Sequence, residues 1–463
     1  MRRYNLLSAA VLILASTTCA VADVKVPPVF SDHMVLQRNL AAPVWGTAET
    51  GEEVVVAIDD QSHKVTADAD GKWSLKLKPL KAGGPHVLSI KGKNTIELKD
   101  VLIGDVWVGS GQSNMAGGVG GYAKNDEVLA KLADGTYPQL RLCRGRGGSW
   151  QQSTPDTNRG HSALLFSFGQ RLQKELDVPV GLILGAVGGT PSGRWLSDEM
   201  LANDPNTKEF KAANGGDLYK QHILPIVPFG IRGVLWDQGE SGTAIKGLDQ
   251  FTTMGALISG WRDTWGQGEF PFLYVQKPSG GGCAWDKSNP TNRMANDFTS
   301  LPAAPQQNNA GDYRAHHVRI MEHPATAMVT ARDLGSGVHP RNKSGYGHRA
   351  AQVALGFTYD QDVEIYGPIY SSHKVEGNKI RVQYKHGAGL VSKYGDGLQG
   401  FAVAGKDGQY HWANAAIDGD AVVVSSDEVP QPVSVQYAWD KSATWANLFN
   451  KDGLPALIFR AGE

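Results

Sequence analysis

Between residues 101 and 355, short apolar runs alternate with stretches whose apolar residues recur every three or four positions. This alternation constrains the fold more than any other feature of the chain. The runs are Val101 to Gly109, Gly181 to Val187, Ile231 to Trp236, Phe272 to Val275 and Ala327 to Thr330. Between them, Ala163, Leu164, Phe168, Leu172 and Leu176 keep helical spacing, as do Phe251, Met254, Leu257, Ile258, Trp261 and Trp265, and Arg349 to Leu355 offers one more helix. Strands that alternate with helices pair in parallel, because parallel neighbours need a long crossover, and the helices then cover both sheet faces. The expectation is an α/β domain over residues 105–355.

The flanks follow another period. In 23–104, Val54 to Ile58, Trp73 to Leu77 and His86 to Ile90 read as strands, separated by turns at Thr50-Gly51, Asp70-Gly71 and Gly83-Gly84-Pro85. In 356–463, Lys379 to Tyr384 and Ala421 to Ser425 do the same, with turns at Glu376-Gly377-Asn378 and Lys406-Asp407-Gly408. Two β-sandwich-like domains are therefore expected around the α/β domain. Residues 1–22 stand apart: Arg2 and Arg3, then Leu6 to Ala15, then Ala20-Val21-Ala22 have the pattern of a cleaved export signal. Export to a bacterial periplasm or the extracellular space is expected, with no membrane span once the signal is gone.

With 45 Lys+Arg against 46 Asp+Glu, no cationic excess exists to meet phosphates, which argues against a nucleic-acid partner. The 41% hydrophobic content argues against disorder. No His-Glu-x-x-His or Cys-x-x-Cys occurs, so no metal and no cofactor is expected. Beyond Cys19 of the signal, Cys143 and Cys283 remain; in an exported chain a disulfide between distant loops is the better expectation, with two free thiols the alternative.

All strands of a parallel sheet end on one edge, so segments that follow different strands become neighbours, and ligands bind there. Gly109-Ser110-Gly111-Gln112-Ser113-Asn114-Met115 follows the first strand and can turn a serine hydroxyl outward. It is not a Gly-x-Ser-x-Gly elbow, since Met115 stands where glycine is needed. Val187-Gly188-Gly189-Thr190 permits close backbone approach or is a plain tight turn. Trp236-Asp237-Gln238-Gly239-Glu240-Ser241-Gly242 ends an apolar strand on polar side chains that are costly to bury without partners. Asp333-Leu334-Gly335-Ser336-Gly337-Val338-His339-Pro340 sets a histidine beyond a strand, near an aspartate. The irregular stretches 117–160 and 279–316 are much longer than ordinary connections, so they read as functional or disordered.

Taken together and in this order, the Gly-Gln-Ser-Asn-Met block, the Gly-Gly-Thr-Pro, the Gln-Gly-Glu-Ser and the His-Pro resemble the SGNH (GDSL-like) hydrolases, specifically their sialate O-acetylesterase group. Ser31 to Gln37 and Pro43-Val44-Trp45-Gly46 also resemble the opening β domain of that group. The resemblance implies a three-layer α/β/α hydrolase domain and a carbohydrate esterase acting on acetylated sugars through an acetyl-serine. It makes Ser113 the nucleophile and His339 the general base, with an oxyanion hole of Ser113 N–H, Gly189 N–H and the Gln238 side chain. Many members carry an aspartate three residues before the histidine, where this chain has Ser336. Asp333 could complete a triad if the glycines fold the loop back; otherwise the site is a dyad. The block-three position often held by Asn is Gly242. Glu240, Arg194 and Trp285 are candidate sugar contacts, Arg194 for a carboxylate and Trp285 for stacking, with plain packing as the alternative. Acetylated xylan as substrate, or a catalytically inactive carbohydrate-binding protein, are the competing readings.

Overall fold

The computed structural model describes residues 23–462, and the expected export signal, 1–22, lies outside them. Its centre is a sheet of six parallel strands: β1 (Thr95–Gly111), β2 (Tyr137–Arg144), β3 (Val180–Ala186), β4 (Gly233–Asp237), β5 (Phe272–Val275) and β6 (Thr326–Val329). Their order is β2-β3-β1-β4-β5-β6, and the short strand Gln151–Ser153 lies antiparallel outside β2. The chain thus leaves β1 for one side of the sheet and crosses to the other after β3, so β1 ends at the switch point where α/β sheets bind ligands.

Helices cover both faces, as the strand period requires. Trp107 packs edge-on against Phe168 of α2 (Ala163–Leu176) at 5.0 Å between ring centroids. Trp236 lies level with Ser110, three residues on, and so points to the opposite face. There it meets Trp261 of α3 (Gln250–Trp265) at 5.9 Å. The last helix, α4 (Lys343–Tyr359), is longer than its apolar period suggested because Asn342 caps it, accepting from Gly345 N at 3.1 Å.

The boundary expected at 104/105 falls inside one strand. The first part of β1 pairs antiparallel with Gly83–Lys91, the second with β3 and β4 in parallel. Its burial changes accordingly, from alternating residues to continuous burial from Val101 onward, where helices cover both faces. Beyond α4, two four-stranded antiparallel sheets share one core that includes Ile380, Val382, Val422, Phe401, Val435 and Phe459.

Two expectations are corrected here. Residues 117–160 are not one irregular stretch: they hold the helix Glu127–Ala133 and the parallel strand β2. This strand is hard to read because Arg141 interrupts its apolar run; the guanidinium is buried against Asp100, with Nη2 at 3.0 and 2.9 Å from the two carboxylate oxygens. Cys143 and Cys283 form no disulfide; both are free and buried. The Cys143 thiol lies against Gly148 O at 3.3 Å within β2 and its loop, while Cys283 lies against Ala446 O at 3.6 Å in the C-terminal β region. Burial pushes Cys143 up to about 12, well away from thiolate chemistry.

Candidate active site

The strand register aligns the first three segments. Ala186 of β3 and Asp237 of β4 both lie opposite Gly111 of β1. Val187 N donates to Gly111 O at 3.1 Å and Gln112 N donates to Asp237 O at 2.8 Å, so the chains leave the sheet tied together. Gly111 is required at this crossing: its φ is +123°, and a Cβ there would lie 2.1 Å from Asp237 O. The backbone then turns into the single helical turn α1 (Ser113–Ala116), which sets Ser113 at its start. Gly188 of the second segment lies beside it; a Cβ on Gly188 would be 3.6 Å from Ser113 Cβ. Neither Ser113 N–H nor Gly189 N–H has a backbone acceptor among the described residues.

The histidine arrives from 226 residues away, with its Nε2 at 2.9 Å from Ser113 Oγ. For the hydroxyl to donate, Nε2 must be the bare nitrogen and Nδ1 the protonated one. Among the described residues no protein group bonds Nδ1. Asp333 is not the missing partner. Its carboxylate is fully buried and faces Arg349, with Nη1 at 3.1 Å from Oδ1 and Nη2 at 2.8 Å from Oδ2, and it also accepts from the Asn292 amide. With its carboxylate committed to Arg349 and Asn292, Asp333 makes no bond to His339. The triad expectation is therefore replaced by a Ser–His pair.

Three further assignments change. Gln238 is buried with Nε2 2.8 Å from Gly242 O and 3.4 Å from Thr190 O, while its Oε1 accepts from Gln250 at 3.2 Å. Its amide hydrogens brace the second segment against the third and are not free for an oxyanion. Arg194 gives the Nε–Nη2 edge of its guanidinium to Asp217, at 2.9 and 2.5 Å, so its charge is paired within the protein. Trp285 packs edge-on against Phe449 at 5.7 Å and carries Lys393 Nζ at 4.4 Å over its ring, so it serves the C-terminal β region. Trp150, on the other long stretch, is buried with Nε1 donating to Val29 O.

Glu240 remains at the site, itself exposed but bonded to a network of buried polar side chains. Asn114, next to Ser113, donates through Nδ2 to Glu240 Oε1 at 2.8 Å and to Val338 O at 2.9 Å. Lys343 Nζ donates to Asn114 Oδ1 at 2.6 Å. Lys277, fully buried at the end of β5, sets Nζ 2.6 Å from Asp237 and 2.9 Å from Glu240. Burial works against the Lys277 ammonium, but these two carboxylates outweigh it, and it holds its proton above the ordinary lysine range. Lys343 meets aromatic faces and an amide oxygen and has no carboxylate at ion-pair distance among the described residues, so burial draws it down to about 7. Beneath them His317 accepts from Lys277 N at 3.3 Å through Nδ1, and burial holds it neutral, drawn down to about 3. Sequence reasoning missed both lysines. Lys277 carried a signal, a charge ending an apolar strand, the same one that singled out Asp237; Lys343 carried none.

A serine hydroxyl donating to an imidazole, over the carboxyl edge of a parallel sheet, is the arrangement of a hydrolase that works through an activated hydroxyl. Residues 103–357 match the family described as carbohydrate esterase, sialic acid-specific acetylesterase. The chain belongs to this family, and it is an esterase. It is 28% identical over 395 residues to the human sialate O-acetylesterase, covering 73% of this chain and 72% of that protein. The rat sialate O-acetylesterase is 28% identical over 426 residues, covering 73% and 74%. The crystal structure of a carbohydrate acetylesterase from Xanthomonas citri superposes with a TM-score of 0.79 at 29% identity, covering 95% of this chain and 99% of that one.

Proposed function

We propose that the protein removes O-acetyl groups from sialic acid, with Ser113 as nucleophile and His339 as general base, in an SGNH-type three-layer domain. The observation that carries the mechanism is the 2.9 Å hydrogen bond between the two side chains. Ser113 Oγ attacks the acetyl carbon as its proton passes to His339 Nε2. The carbonyl oxygen, now negative, receives the N–H groups of Ser113 and Gly189, each such donor contributing roughly 2.7–4 kcal/mol to the barrier. The bond to the sugar oxygen then breaks, and that oxygen takes the proton from His339. Water attacks the acetyl-serine with His339 again as base, acetate leaves, and Ser113 regains its proton.

Charge supports this substrate, as do the relatives' names. Arg144 and Arg146, at the end of β2 on the same sheet edge, are exposed and have no acidic partner among the described residues. Two cations without an acidic partner on the sheet edge that carries Ser113 suit an acetylated sugar that carries a carboxylate. The segment 1–22 supports action outside the cytoplasm; among the described residues no helix is long and apolar enough to cross a membrane. Acetate release from O-acetylated sialic acid and from acetylated xylan, by wild type and Ser113→Ala, tests both parts. Sialate should be the better substrate and Ser113→Ala inactive on both; turnover by Ser113→Ala overturns the mechanism, and preference for xylan overturns the substrate.

A further inference from the structure

With Asp333 turned away and no protein group bonded to Nδ1 among the described residues, only Ser113 itself bonds the His339 ring, whose loop from 336 to 339 is exposed. The ring must then be held through its backbone. We infer that Asn114 is the positioning residue that holds the histidine loop over Ser113, itself locked in orientation by Lys343 and Glu240. The inference rests on the reading of Ser113 and His339 as the reacting pair.

Asn114 joins the two by position. It follows Ser113 in α1, and its Nδ2 donates at 2.9 Å to the carbonyl of Val338, the residue before His339. Its other amide hydrogen goes to Glu240 at 2.8 Å and its oxygen accepts from Lys343 at 2.6 Å, so all of its strong bonds are made while it is 1% exposed. The partners also dictate which way round the amide sits. Reversed, it would set its oxygen against a carboxylate and a carbonyl, two repulsive contacts in place of two hydrogen bonds. Asn114 therefore acts as a fixed rod between the nucleophile turn and the histidine loop, and no other side chain bonds that loop next to His339 among the described residues. A displacement of about 1 Å in such a pair is enough for a 100-fold loss of rate.

Asn114→Asp keeps the shape and the acceptor for Lys343 but loses both donors; Asn114→Ala loses everything. kcat and KM for 4-nitrophenyl acetate would be measured with thermal midpoints for both, for Lys343→Met, for the Asn114→Ala/Lys343→Met pair and for His339→Ala. The inference expects kcat to fall about 100-fold in either Asn114 variant with KM within about threefold of wild type. It expects about a tenfold fall in Lys343→Met, and a double variant no slower than Asn114→Ala, because Lys343 acts through the amide. A folded Asn114 variant with kcat within threefold of wild type overturns it. So does multiplication of the single effects in the double variant, a readout that stays available if Asn114→Asp does not fold. Full activity in His339→Ala would instead sink the reading of the reacting pair; an inactive His339→Ala beside an unimpaired Asn114→Asp sinks this inference alone.

Discussion

Asp333 separates a triad from a dyad with two measurements on the same variants. The carboxylate is fully buried, the Arg349 side chain is 2% exposed, and two hydrogen bonds of 3.1 and 2.8 Å join them. Asp333→Ala leaves that guanidinium in the interior without its counter-charge. Removing one partner of a buried pair costs about 3–5 kcal/mol, because the remaining ion is uncompensated. That is a large share of the roughly 5–15 kcal/mol that separates a folded protein from its unfolded chain. Asp333→Asn retains an acceptor oxygen for Arg349 and should lose less. A thermal melt of each variant should show a clearly lowered midpoint, larger for alanine. Their turnover of 4-nitrophenyl acetate at 25 °C, corrected for the folded fraction, should stay within a few-fold of wild type. If Asp333 oriented His339 in the manner of a serine-protease triad, Asp333→Asn would lower kcat by about 10⁴. Such a loss in a variant that melts like wild type would refute the dyad.

Other consequences can be checked more simply. His161 and His317 are buried and held neutral, each drawn down to about 3 by burial, so between that value and 6.5 only the unfolded chain takes up their protons. Stability to urea should therefore fall as pH drops from about 6.5 toward 3, by up to about 4 kcal/mol per histidine, and His317→Gln should flatten the slope; an unchanged slope would remove His317 from the account. Cys143 and Cys283 are separate and buried, so a reductant should leave the melting midpoint of the chain without residues 1–22 unchanged. A thiol reagent should titrate both cysteines only after denaturation.

The alternation of apolar strands with helical periods determined the parallel sheet by itself, because crossover chemistry leaves few other ways to bury such a pattern. Ser113 and His339 both stand beyond strand ends, which share one edge, and the family resemblance picked them out from the other candidates there. Local pattern also located the β flanks, although it could not reveal that β1 runs through both regions, since burial on one face and then on two appears only when the layers are assembled. What each polar side chain faces was decided by tertiary structure alone. Asp333 lies six residues from His339 in sequence, yet its charge is satisfied by Arg349 from the next helix, 16 residues on. Arg194 and Gln238 stand in promising segments and are likewise bonded to neighbours the chain supplies from elsewhere. Lys343 gave no local sign of its place beside Asn114, 229 residues away. Sequence period selects a face of a strand or helix; a buried charge or amide selects whichever partner the packed interior brings within about 3 Å, and that choice is non-local.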